Sequence, residues 1–172
     1  MARGLLNALD GLSEVLFQLL DARERFPRAV LMLQREVAAR LVARPRTGAR
    51  GVLSVLVQTF ADVRIAFGVS RRSFLPPPQV DSAVVDVRWS AAPRADVGAV
   101  DVYRAVVRAA FGKRRKMLRN ALAELAAERE LEPAALADVF ARAGVDPRRR
   151  AETLELEEFA RLACALTAVT DA

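Results

Sequence analysis

Phe74-Leu75-Pro76-Pro77-Pro78-Gln79-Val80-Asp81-Ser82-Ala83-Val84-Val85 is the stretch on which the architecture turns. Three consecutive prolines donate no backbone hydrogen bonds and hold the chain stiff and extended. Beyond them the side chains alternate, so Val80 to Trp89 reads as a strand. Before them Ala61 to Val69 reads as a second strand, and the prolines lie in the loop between the two. Phe74 stands at the loop's entrance with Arg71 and Arg72 just ahead of it. An aromatic ring on a stiff support beside positive charge suits a flat ligand with an anionic backbone, such as a nucleotide. The other reading is an ordinary hairpin connection whose Phe74 plugs the core.

Further out, Leu12, Val15, Leu16, Leu19 and Leu20 recur at helical spacing, which predicts a helix from Leu12 to about Ala22. Ala29-Val30-Leu31-Met32-Leu33 is a continuous apolar run, as expected of a strand buried on both faces. Gln34 to Ala43 returns to helical spacing, and Arg44 to Gly51 reads as a solvated loop carrying Arg44, Arg46 and Arg50. Val52 to Phe60 is compatible with helix or strand. After a linker over Ala91 to Asp96 the pattern is helical throughout, with helices expected from Val97 to Gly112, Arg114 to Glu128 and Pro133 to Gly144. Proline suits a first helical turn and glycine a terminus. Glu155, Glu157 and Glu158 favour the positive end of a last helix.

On this reading Lys113-Arg114-Arg115-Lys116, with Arg119, opens a helix. Positive charge is unfavourable at a helix N-terminus, so its retention there argues for a phosphate partner. Arg148-Arg149-Arg150 is the other run; Arg150 reads either as an RNA contact or as a structural partner of Glu152 or Asp146.

The 172 residues are enough for one domain with a small appendage. The formal charge is +6, and of 27 basic residues only Lys113 and Lys116 are lysines. Arginine binds phosphate bidentately and stacks on bases, so the bias fits RNA; a GC-rich genome would produce it as well. A lone Cys164 excludes an internal disulfide, and on its apolar helix face it reads as a buried structural thiol. With no histidine and no cysteine cluster, no metal site is expected. No leader and no run long enough to span a bilayer are apparent, so the expected location is the cytoplasm, with no membrane partner.

Phe-x-Pro-Pro-Pro-x-Val-Asp-Ser-x-Val resembles the motif of the ribosomal RNA adenine dimethyltransferases (the KsgA/Erm group). Other segments are similar in the same order: Met32 to Leu41, Gly51 to Val55 with Gln58, Phe111 to Leu122, then Gly144 to Pro147 and Arg150 to Glu152 with Leu154. The resemblance runs over roughly residues 12 to 168 and makes Val52 to Phe60 a helix. It implies transfer of two methyl groups from S-adenosylmethionine to exocyclic amines of adenines in small-subunit ribosomal RNA. It implies further that Phe74 stacks on the target adenine, and that Arg71, Arg72, Lys113, Arg114, Arg115, Lys116 and Arg119 meet RNA.

Two features of that family have no counterpart in the sequence. The cofactor-holding half needs a glycine-rich turn, and no Gly-x-Gly occurs anywhere in the chain. The catalytic Asn-Leu-Pro-Tyr loop is replaced by Asn7-Ala8-Leu9-Asp10-Gly11, where Asn7 is the one residue that carries over. Asn7 and Asp10 also read as plain helix-entry residues. The fold expected is therefore α/β: the carboxyl-terminal half of a Rossmann-like methyltransferase sheet over residues 1–92, then a small all-α RNA-binding domain over 97–172. The chain is expected to be a truncated family member that does not bind S-adenosylmethionine alone. The alternatives are a non-catalytic RNA-binding remnant and a subunit that needs an amino-terminal partner.

Overall fold

A computed structural model of the protein describes residues 15–113 and 116–170. A helix over 15–21 (α1) leads to β1 (Arg28–Gln34), α2 (Arg35–Leu41) and α3 (Val52–Phe60). Next come β2 (Ala61–Val69), a single 3₁₀ turn (Arg71–Ser73) and β3 (Ser82–Trp89). Four helices complete the chain: α4 (Val100–Gly112), α5 (Leu118–Glu128), α6 (Pro133–Ala143) and α7 (Leu156–Thr170), with a second 3₁₀ turn (Ala151–Thr153) before the last.

The three strands form one antiparallel sheet in the order β1-β3-β2. β3 is central because its alternating Ala83, Val85 and Val87 can be buried under helices while both its edges are paired. It begins two residues later than its apolar pattern: the carbonyl of Asp81 accepts from the amide of Arg35 and closes the proline loop instead. β1 is not buried on both faces. Val30 and Met32 are 59% and 55% exposed, while Ala29, Leu31 and Leu33 pack beneath the helices. An antiparallel strand needs only one covered face; here Val30 and Met32 are apolar on the open one, so the burial of Ala29–Leu33 alternates where its composition does not.

Two apolar cores flank α3. Leu16, Ala38, Leu41 and Val57 pack on Ala83, Val85 and Val87 of the sheet. On the other side Val55, Leu56 and Phe60 join Leu20 and the interior of α4–α7, including Tyr103, Val106, Leu122, Phe140 and Phe159. Phe60 and Tyr103 meet edge to face at 6.5 Å, and the fully buried Tyr103 hydroxyl shares a 2.7 Å hydrogen bond with Thr59. Burial pushes the Tyr103 phenol up to about 12, so it stays neutral.

Arg50 is not a solvated loop residue. It is 1% exposed, and its guanidinium donates to the carbonyls of Ala43 (3.2 Å) and Leu154 (3.1 Å). It thus ties the loop after α2 to the chain before α7. Burial lowers its pKa, yet an arginine remains charged.

Helix α5 starts at Leu118, not at Arg114. Its first amides are already taken: Leu118 N donates to the carbonyl of Arg149 (2.8 Å) and Arg119 N to that of Pro147 (3.0 Å). Lys113 is the C-cap of α4, where positive charge is favoured, and it pairs with Glu124 at 3.1 Å. The inference of a phosphate partner from charge tolerated at a helix start therefore falls. The basic cluster precedes the helix, and its RNA role needs other support. α6 does run from Pro133 in its first turn to a left-handed Gly144 (φ 62°).

Candidate nucleic-acid interface

The proline loop is held from its two ends. Ser70 caps the 3₁₀ turn by accepting from Arg72 N, and Asp81 accepts from Arg71 N at 3.0 Å. The Arg71 guanidinium donates across the loop to the carbonyl of Gln79 (3.3 Å). These bonds spend Arg71 partly on the loop itself, whereas the Arg72 side chain has no ion pair among the described residues. Phe74 is half-buried and belongs to neither core, so it does not plug the interior. Beside it Leu75 is 98% exposed, the most solvent-facing large apolar side chain of the loop. Its exposure has a local sequence signal, because a residue before proline is steered away from helix into extended backbone.

The two arginine runs that sequence separates are brought together. Arg46, from the loop after α2, and Arg148, Arg149 and Arg150 line one cavity of about 630 Å³ with Thr153, Glu155 and Glu158. The backbone fixes this: Arg46 N donates to the carbonyl of Glu152 at 2.7 Å. Within the cavity the arginines differ. Arg149 is structural, donating to Glu158 (2.5 and 3.1 Å) and to the Thr153 carbonyl (2.8 Å). Burial works against ionisation of Glu158, but the Arg149 guanidinium and the Glu155 amide outweigh it and hold the carboxyl below its ordinary range. Asp146 pairs with Arg148, not Arg150, and is likewise held low by the Arg148 amide and guanidinium. Arg46 and Arg150 have no carboxylate within ion-pairing distance among the described residues. Of the structural partners expected for Arg150, neither Glu152 nor Asp146 takes that place.

The remaining basic candidates are spread. Lys113 faces Glu124, Lys116 is exposed, and Arg119 stands on the second residue of α5. Arg114, Arg115 and Asn7 lie outside the described residues. Cys164 is half-buried rather than buried; its thiol, pushed up by burial, lies 3.6 Å from the carbonyl of Asp96. Among the described residues no group of His, Cys, Asp or Glu could hold a metal ion, and no helix is long and apolar enough to cross a membrane.

Among the described residues no strand end carries the glycine turn that would receive S-adenosylmethionine. A strand end that receives such a nucleoside needs a glycine turn. Here β1 passes into α2 at Gln34–Arg35 with no glycine between, β2 ends at Val69 and is followed by Ser70, and β3 ends at Trp89 and is followed by Ser90.

The uncovered face of the sheet is the other large surface. Met32 and Phe67 (59% exposed) flank Val84, and Val30 lies opposite Asp86. Two residues along β3 from Val84, Asp86 is buried among three arginines, with Arg28 at 2.6 Å, Arg64 at 2.9 Å and Arg88 at 3.3 Å. Its hydrogen bond from Arg28 leads the other contacts in holding the carboxylate well below the usual range.

Comparison with known proteins resolves the family. Residues 11–165 match the family "Ribosomal RNA adenine dimethylase". The chain belongs to that family. It is 50% identical over 151 residues to the ribosomal RNA small subunit methyltransferase A of Pelotomaculum thermopropionicum, covering 87% of this chain and 50% of that one. To the same-named protein of Geobacter sulfurreducens it is 49% identical over 154 residues, covering 90% and 55%. The chain thus spans about half the length of these relatives. Among solved structures, a dimethyladenosine transferase from Plasmodium falciparum superposes with a TM-score of 0.74 over 91% of this chain and 63% of that one, at 23% identity. The 23S rRNA methyltransferase ErmE superposes at 0.53 over 82% and 55%, at 25% identity. The α/β fold is that of these methyltransferases.

Proposed function

We propose that this family member is the RNA-holding part of a small-subunit ribosomal RNA adenine dimethyltransferase. The observation that carries this is the meeting of Arg46 and Arg150, drawn from distant parts of the chain into one cavity where neither forms an ion pair with the Glu155 and Glu158 that also line it. Guanidiniums held in a concave site without ion pairs suit a phosphate backbone. In this reading Phe74, raised on the proline loop, stacks on the adenine that leaves its helix. Arg71 and Arg72 hold the phosphate next to it, and Lys113, Arg114, Arg115, Lys116 and Arg119 hold phosphates elsewhere along the same RNA. Residues 1–92 act as the late part of a Rossmann-like sheet and residues 97–172 as the RNA-gripping domain. When bound elsewhere in a complete enzyme, S-adenosylmethionine supplies the methyl groups; this chain supplies base and backbone contacts and is inactive by itself.

A second reading within this one is favoured by the uncovered sheet face. An apolar patch of Val30, Met32, Val84 and Phe67 beside an unpaired strand edge fits an amino-terminal partner better than open water. That supports a half needing completion over a free-standing RNA-binding remnant.

The test is binding of a labelled small-subunit rRNA hairpin at two salt concentrations, alongside methyl transfer from labelled S-adenosylmethionine. Affinity that falls steeply with salt, loss of adenine preference in Phe74→Ala, and no methyl transfer by the chain alone are expected. Salt-independent or absent binding refutes the RNA role, and methyl transfer by the chain alone refutes its inactivity.

A further inference from the structure

An open apolar groove lies on the helical side; it shares no wall residue with the proline loop, and its Pro147 leads directly into the arginine cavity. Its walls are Pro133, Leu136 and Phe140 of α6, Val145 and Pro147 of the following loop, and Arg119 of α5, enclosing about 560 Å³. That lies within the roughly 300–1,000 Å³ of pockets that take small ligands. The walls are fixed in place. Gly144 turns the chain in a left-handed conformation, and Leu118 and Arg119 bond back to the carbonyls of Arg149 and Pro147. The amides of Asn120 and Ala121 both donate to Met117, so the first turn of α5 has no amide left for an anion. Among the described residues that line the groove, Arg119 is the one with a side chain able to hold one. The neighbouring acids do not oppose this: Asp138 is paired with Arg142 at 2.7 Å and Asp146 with Arg148 at 3.2 Å, and Glu132, at the N-cap of α6, is exposed.

We infer that this groove takes one unpaired base of an RNA strand, with the adjoining phosphate on Arg119. The inference rests on the RNA-holding reading above. A flat apolar body attached to a single anion matches an apolar wall with one guanidinium at its rim, and a second copy of a chain with a +6 net charge would bring the wrong sign. No wall of the groove comes from the proline loop that carries Phe74, so the two sites hold different nucleotides of the same RNA.

The experiment uses the full chain and three probes: a decamer of oligoadenylate, the same decamer with one abasic position, and a blunt RNA duplex. Ala141 and Ala137 line the groove and are exposed, so Ala141→Trp, or independently Ala137→Trp, fills it without touching the core. The walls are mostly aliphatic and Phe140 is only 4% exposed, so loss of a base from this groove is expected at the lower end of what aromatic platforms give, about fivefold. Expected is about a fivefold loss for the decamer in both filled variants, with duplex affinity unchanged. Anisotropy with the abasic decamer should show a penalty that persists in Phe74→Ala but shrinks in the filled variants. If the filled variants bind the decamer like the parent chain while the duplex is still bound, the groove is not a base site and the RNA reading stands. If self-association, not decamer binding, responds to filling, the occupant is a second copy and the inference is overturned. If no probe binds at all, the RNA reading falls with it.

Discussion

Adjacent Arg149 and Arg150 are expected to fail in opposite ways when replaced by alanine. Arg149 makes two bonds to the Glu158 carboxylate and two more to Thr153, from side chains that are 31% and 16% exposed. A fully buried pair broken on one side costs about 3–5 kcal/mol, and an exposed pair about 0–1 kcal/mol. With both groups partly screened, and Glu158 keeping its bond from the Glu155 amide, Arg149→Ala should cost about 2 kcal/mol. For a chain of this size that lowers Tm by about 4–8 °C. The pH dependence has a definite sign. The folded carboxyl of Glu158 titrates below its unfolded value, so the pair's contribution is complete above the ordinary glutamate range and is lost as pH falls through the folded value. The difference between parent and variant should therefore narrow below about pH 4. Arg150→Ala should stay within about 0.5 kcal/mol of the parent in urea unfolding. Its RNA affinity should nevertheless drop, and the salt slope should fall by about 1. Equal destabilisation by the two substitutions, or a difference that does not narrow in acid, would refute the division of labour.

Three further outcomes are expected. Tyr103→Phe should cost about 0.5–1.5 kcal/mol in chemical unfolding, because Thr59 keeps its 2.8 Å bond to the Val55 carbonyl and no buried group is orphaned. Gly144→Ala should destabilise by about 1 kcal/mol through backbone strain alone, since an added Cβ there meets nothing within 4 Å; calorimetry that shows no loss contradicts this. Asp86→Asn should lower Tm at neutral pH by leaving Arg28, Arg64 and Arg88 to repel one another. That difference should disappear in strong acid, because the depressed carboxyl stabilises only above its folded titration point; a pH-independent loss would point to packing instead.

Much of the frame was legible because it rests on local signals. The strand expected over Ala61 to Val69 coincides with β2, Pro133 and Gly144 marked α6, and the proline motif pointed to the family. The failures share a cause, which is that partners lie far away in sequence. Ala29–Leu33 looks buried on both sides, because nothing in five apolar residues reveals that one face has no cover. Arg50 sits in a loop rich in glycine and charge and reads as solvated, since its acceptor on Leu154 comes from the far end of the chain. The four-residue basic run reads as a helix start because its composition is helix-compatible, while the amides that begin α5 at Leu118 are captured by Pro147 and Arg149. The meeting of Arg46 with Arg150 has no sequence signal at all. The groove beside Arg119 likewise emerges only once the loop after Gly144 is placed against α5.

Helix α3 gives one side to each core, and this limits how the chain can be divided. A fragment beginning at the linker would keep Tyr103, Val106 and Phe159 but lose Val55, Leu56 and Phe60, which close over them. Residues 97–172 expressed alone would carry an open apolar wound at that seam and should self-associate, although their four helices are intact. The smallest soluble unit of the helical region is therefore one that begins upstream of Val52 and takes α3 with it.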